Sequence, residues 1–168
     1  MKWLLFTLIS FSFVVSAKLQ DSDFAEQGQK TLKPFKKALM GTLKKTIAGE
    51  GAVEAIDVCH VKAPEIRKKV NQDNKHIVIQ GRPFAIEMGR TSHKLRNPNN
   101  RPKDWAVSYL KEFQEGPRSS PVVVELEKDM SKVGYLAPIG VQPLCLNCHG
   151  KNISSDVKKV LAEKYPQD

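Results

Sequence analysis

Cys59, Cys145 and Cys148 are the only cysteines in a chain of 168 residues. Three are too few for a disulfide scaffold, and an odd number leaves at least one without a cysteine partner. The fold must therefore rest on a hydrophobic core. A domain of roughly 150 residues can supply one, burying about 68–70% of its unfolded surface. An apolar content of 40% with 27% charged residues also excludes a disordered chain.

Residues 1–17 read as a secretory signal peptide. Lys2 supplies the positive end, Trp3 to Val15 is an apolar run, and Val15-Ser16-Ala17 is a small-residue cleavage site. The run is shorter than the roughly 20 apolar residues of a spanning helix, so no stable membrane span is expected after cleavage. Residues 18–168 are then one exported, periplasmic domain in an oxidising compartment.

Within that domain the pattern is helical from Asp21 to about Ala48. Phe24, Leu32, Phe35, Leu39, Leu43 and Ile47 recur every three or four residues, with lysines filling other positions and Pro34 predicting a kink or break. A second helix is expected over Ala52 to Val61 and a third after Pro64. His76 to Gln80 and Phe84 to Met88 read as strands, Gly89 to Pro102 as a loop, and Pro102 to Glu115 as a helix carrying the row Trp105, Tyr109, Phe113. Pro121 to Glu127 and Val133 to Val141 form an expected antiparallel hairpin. Ser154 or Ser155 caps a last helix that Tyr165-Pro166 stops. This order is that of an α+β fold with a small antiparallel sheet and flanking helices.

Two of the cysteines fall in Cys145-Leu146-Asn147-Cys148-His149, the C-x-x-C-H signature of c-type haem attachment. Two intervening residues let both sulfurs reach the two vinyl groups of one porphyrin, and the adjacent His149 can turn its imidazole onto the iron. A Cys145–Cys148 redox disulfide is the competing reading, but a thioredoxin-like motif follows a strand in a βαβ pattern, which is missing here. A zinc site needs four ligands, and the sequence holds no second C-x-x-C or H-x₃-H pair. Coincidence is the third alternative. For the other axial position the candidates are Cys59, His60, His76, His93, Met40, Met88 and Met130. Cys59 reads either as a small buried hydrophobe or as a thiolate ligand, which pushes electron density onto the metal.

Three separated blocks occur in order. The first is Ala55-Ile56-Asp57-Val58-Cys59 with Ala63-Pro64-Glu65-Ile66. The second is Gly89-Arg90-Thr91-Ser92-His93-Lys94-Leu95-Arg96-Asn97-Pro98-Asn99-Asn100. The third is Cys145-Leu146-Asn147-Cys148-His149-Gly150. Together they resemble an uncharacterised family of exported c-type haem proteins with a PAS-like fold, found alone or as the sensory part of signalling proteins. The resemblance covers the chain from about residue 50 to its end. It implies one haem c held by Cys145 and Cys148, with His149 as one axial ligand and Cys59 as the other, as in at least some members; His60 is a close competitor. Family members continue past the Tyr-Pro segment into a Gly-rich stretch and a final strand. This sequence stops at Asp168, so either it is cut short of that strand or its sheet lacks that edge.

Haem carries two propionates, and guanidinium matches a carboxylate bidentately. Arg90 or Arg96 is therefore expected on a propionate, the competing reading being that Arg96 and Asn97 order the loop through backbone carbonyls. The leading function is redox or small-ligand sensing, with a gas such as NO or CO as ligand and a separate signalling or redox partner. A periplasmic electron carrier is the first alternative and a non-haem metal or thiol module the second. No Ser-His-Asp order, paired-carboxylate motif or phosphate loop marks an enzyme. The net charge of +9 is spread along helices with acids between the lysines, which disfavours nucleic acid as a partner.

Overall fold

The computed structural model describes residues 18–116 and 119–167; the expected signal peptide, residues 1–17, lies outside the described residues. The chain is α+β, with helices around two antiparallel two-stranded sheets. Helix α1 (Asp21–Gly49) opens on a capping box in which the Asp23 carboxylate accepts from the Gln20 amide at 2.9 Å. It runs through Pro34 as one helix, so of the expected kink or break the break does not occur. Pro34 lies on the exposed face, where water can replace the single backbone bond that its missing N–H removes.

The next helical stretch has three parts: α2 (Ala55–Asp57), a π-helical turn (Val58–Lys62), and α3 (Ala63–Asp73). The expected second and third helices are thus continuous: Pro64 is the second residue of α3 and directly follows the π-helical turn, so the one backbone bond that its missing N–H removes falls at the join of the two segments. Strands β1 (His76–Ile79) and β2 (Arg82–Ala85) pair through a two-residue turn, Gln80-Gly81, with φ of 48° and 78°. Positive φ at both positions defines a type I′ turn, which shifts β2 ahead of the expected Phe84–Met88. A loop then leads to α4 (Val107–Glu115), which Gly116 ends at φ 87°.

β3 (Val122–Glu127) and β4 (Lys132–Leu136) form the second hairpin, with a bulge between Glu125 and Glu127. The ladder stops at Leu136, short of the expected Val141. The two hairpins share no backbone ladder. They meet through side chains, in a cluster of Leu19, Phe24 and Ile79 with Phe84, Val123 and Val133 around it. The short helix α5 (Leu146–His149) precedes α6 (Ser155–Lys164), whose cap is Ser154. A second cluster, Ile56, Val157, Leu161 and Tyr165, ties α2 to α6, and Cys148 packs against it. A third, Phe35, Val70 and Met88, ties α1 to α3.

Candidate functional site

The central feature is a cavity of about 1290 Å³, above the roughly 300–1,000 Å³ usual for small-molecule sites. Apolar residues of α1, including Leu32, Leu39, Met40 and Leu43, form one side of its lining. Residues 88–97, the segment after β4 with Ile139 and Val141, and the turn of α5 also line it, together with side chains of β2, α4 and α6. Ile139 and Val141 are 59% and 65% exposed, yet both belong to this lining.

A turn of 3₁₀-helix (Pro143–Cys145) runs directly into α5, so residues 143–149 are one helical stretch. Spacings of three and four place Cys145, Cys148 and His149 along one side of it. All three line the cavity. The stretch is held by two contacts to its backbone and thiol: the Arg96 guanidinium donates to the Cys148 carbonyl at 3.0 Å, and the Cys148 thiol faces the Ala52 carbonyl at 3.9 Å. The Asn147 side chain donates to the Leu144 carbonyl at 3.0 Å.

Cys59 comes to the same cavity from the π-helical turn. Such turns widen the helix by one residue and recur at functional sites. Here the turn separates two neighbours. Cys59 lines the cavity, whereas His60 is not among the lining residues and stands edge-on to the Tyr165 ring at 4.9 Å. The Cys59 carbonyl accepts from Arg90 at 3.5 Å. Burial raises the Cys59 thiol above its ordinary pKa; the Arg90 guanidinium opposes that, Cys145 adds to it, and Arg96 opposes it more weakly. Burial likewise raises Cys148, with Cys59 adding to the shift and Arg96 opposing it. The three cysteines and two arginines therefore form one electrostatic neighbourhood. All three thiols are free in this structure.

The remaining axial candidates divide by position. Met40, Met88 and His93 line the cavity; His76 and Met130 do not. Met88 is buried in the third cluster and pinned by Asn71, which bonds both its amide (3.0 Å) and its carbonyl (3.2 Å). Arg90 and Arg96 both line the cavity while each serves a cysteine carbonyl, the loop-ordering contact weighed against the propionate role. Asn97 caps its own turn, accepting from the Asn99 amide at 2.9 Å.

Three features escaped sequence reasoning. The π-helical turn leaves no periodic signal. Tyr165, read only as a helix stop, is buried beside His60 and under the Arg96 guanidinium, 6.0 Å from its ring centre. Thr91 lines the cavity with its hydroxyl oxygen buried and without a hydrogen-bond partner. Among the described residues no three His, Cys, Asp or Glu side chains converge as a metal cage, and no helix is long and apolar enough to cross a membrane.

Fold and site together define a small α+β protein in which separate elements bring three cysteines to one large, mainly apolar cavity. The chain belongs to the Tll0287-like family, whose model matches residues 12–168. No curated protein and no solved structure gave a match.

Proposed function

We propose that this chain is an exported, periplasmic c-type haem protein of PAS-like type that senses redox state or a small ligand. The observation that carries the reading is a single cavity lined by Cys145, Cys148, His149 and Cys59 together. The fit to haem rests on the residues present. The volume exceeds that of ordinary small-molecule sites, the lining is mainly apolar, and both cysteines of the attachment motif border it. Arg90, Thr91 and Arg96 add polar groups suited to carboxylates.

Cys145 and Cys148 would hold the group covalently, and His149 and Cys59 would ligate its iron. Haem bound there supplies a one-electron iron couple. The chain's own contribution is positional and electrostatic. Arg96 fixes the Cys148 backbone and Arg90 the Cys59 backbone, which keeps two donors from distant parts of the sequence in one place. Their positive charges also favour a thiolate at Cys59 against the opposing effect of burial. Because burial dominates, Cys59 stays a thiol until a metal draws off its proton, the usual coupling of thiolate ligation to deprotonation. A Cys59 bond to metal is then easily reversed by protonation, which suits a sensor.

The test is expression in a host with c-type maturation machinery. The expected product carries one haem by intact mass, resistant to extraction, and loses it when Cys145 and Cys148 are both replaced by Ala. Cys59→Ala should abolish the thiolate low-spin ferric EPR signal, and His60→Ala should keep it. A Soret change of the ferrous protein with CO supports sensing. No change with CO or NO moves the reading to an electron carrier, and haem-free protein from a competent host refutes both.

A further inference from the structure

The charge of the chain is not evenly mixed. From Gln27 to Gly49, α1 contains no Asp or Glu but carries Lys30, Lys33, Lys36, Lys37, Lys44 and Lys45. Lys30, Lys33, Lys37 and Lys44 are three, four and seven residues apart, so they share one face of the helix. All six are exposed. Lys30 pairs with Glu26 at 2.6 Å; among the described residues no ion pair is recorded for the other five. The opposite face carries Phe24, Leu32, Phe35, Leu39 and Leu43 into the fold and the cavity. At 1.5 Å per residue the 29-residue helix is roughly 43 Å long, and its lysines from Lys30 to Lys45 span roughly 23 Å of it.

We propose that this lysine face of α1 is the docking surface for a protein partner that presents an acidic face. Single exposed charges contribute little and are screened within about 8–10 Å at physiological salt. A row of like charges within that distance of one another acts as a unit, raising the encounter rate with an oppositely charged surface by about 10- to 1,000-fold at low salt. The face has the further property of location. α1 stands between these lysines and the cavity lined by its apolar side, and a helix is about 10 Å across. A partner seated there stands one helix thickness from the site. What passes between the two rests on the haem reading; the docking does not.

An anionic membrane surface is the rival occupant. Helices that lie on membranes insert an apolar face carrying Trp, Phe or Leu. The apolar face of α1 is turned into its own fold. Among the described residues the exposed large hydrophobics, Val61, Val78, Val107, Ile139, Val141 and Leu146, all lie outside α1. The face therefore offers charge without an anchor, as an acidic protein surface requires.

The test uses the full-length mature protein, fluorescently labelled poly-glutamate as the acidic polypeptide, and vesicles containing phosphatidylglycerol. Lys33→Glu/Lys37→Glu/Lys44→Glu reverses the face. Lys151→Glu/Lys158→Glu/Lys159→Glu makes the same change of net charge at the other end of the chain. The expected result is a loss of poly-glutamate affinity of about tenfold or more for the first variant and under threefold for the second, with the salt dependence flattened only in the first. Equal losses would overturn the proposal, since net charge alone would then explain binding. So would tight vesicle binding that poly-glutamate does not displace. If the Glu variant unfolds, the corresponding Lys→Gln triple carries the same comparison with a smaller expected loss. Binding that survives in protein lacking haem upholds the docking surface while separating it from the cofactor reading.

Discussion

Replacing Arg96 tests how the two halves of the site are held together. Its guanidinium donates to the Cys148 carbonyl at 3.0 Å and lies 6.0 Å from the centre of the Tyr165 ring. A hydrogen bond from a charged donor contributes about 1.5–3 kcal/mol, and a partly desolvated cation–π contact about 0.5–2 kcal/mol. Arg96 is half-buried, so solvent screening draws the sum toward the lower end, about 2–3 kcal/mol. In a domain of this size that lowers the melting temperature by roughly 4–12 °C. Urea denaturation followed by circular dichroism measures the loss for Arg96→Ala, Tyr165→Leu and the double variant. The two residues touch, so the cycle should show coupling of about 0.5–2 kcal/mol. Arg96→Lys should recover less than half of the loss, because a point charge cannot both stack and donate sideways. Additive single losses, or an Arg96→Ala change below about 0.5 kcal/mol, would show that Arg96 does not organise the site. In the holoprotein the same variant separates its roles: a shifted midpoint potential with normal stability would support the propionate assignment.

The remaining predictions concern close packing and alkaline pH. A Cβ at Gly134 would stand 2.8 Å from the Trp105 ring, and one at Gly28 would overlap the Tyr135 ring. Gly134→Ala and Gly28→Ala should each cost about 1–3 kcal/mol by overpacking, and the Gly28→Ala loss should shrink when Tyr135→Ala is added; thermal melts check both. Burial raises the phenols of Tyr135 and Tyr165, and the charge of Cys59 adds to the shift at Tyr165. Unfolded phenols ionise near 10.0, so above that pH the unfolded state holds fewer protons than the folded one and stability falls as pH rises. With the Cys59 and Cys148 thiols, which burial also raises, replaced by Ala, the melting temperature should be steady from neutral pH to about 9 and then drop; Tyr135→Phe/Tyr165→Phe should flatten the drop, and an unchanged profile would refute the linkage.

The elements that the sequence made legible are those with a local cause. The stripe of α1, the Ser154 cap, Gly116 after α4 and the polar turn between β3 and β4 each follow from one residue type in one position. Strand ends were less legible. The pairing of Ile79 with Arg82 is set by Gln80 accepting a φ of 48°, which glutamine does not advertise. The π-helical turn was not legible at all. Its sequence, Val58-Cys59-His60-Val61-Lys62, suits an ordinary helix, and the extra residue in the turn accompanies tertiary contacts on both sides: Arg90 on the Cys59 carbonyl and Tyr165 on the His60 ring. Choosing between Cys59 and His60 from sequence was impossible for that reason, since one residue of helical phase decides which faces the cavity. The lysines of α1 were misread for a different reason: an average over the chain mixes acids among them, while the stretch from 27 to 49 has none.

The apolar stripe of α1 makes the deeper point about what periodicity measures. Six residues recur at helical spacing, which predicts one buried face. Only Phe24 and Phe35 are buried; Leu32, Leu39, Leu43 and Ile47 are half-exposed, and all six line the cavity. Helical spacing marks a face that avoids water, and it reads the same whether that face meets other side chains or a large apolar ligand. What distinguishes the two is the far side of the stripe. Where α3 and Met88 pack on it, at Phe35, a core forms. Phe24 likewise packs into a core with Leu19 and Ile79. The stripe also lines the cavity that Cys145, Cys148 and His149 line, so residues that resemble a core in sequence serve in the structure as part of the wall of the site.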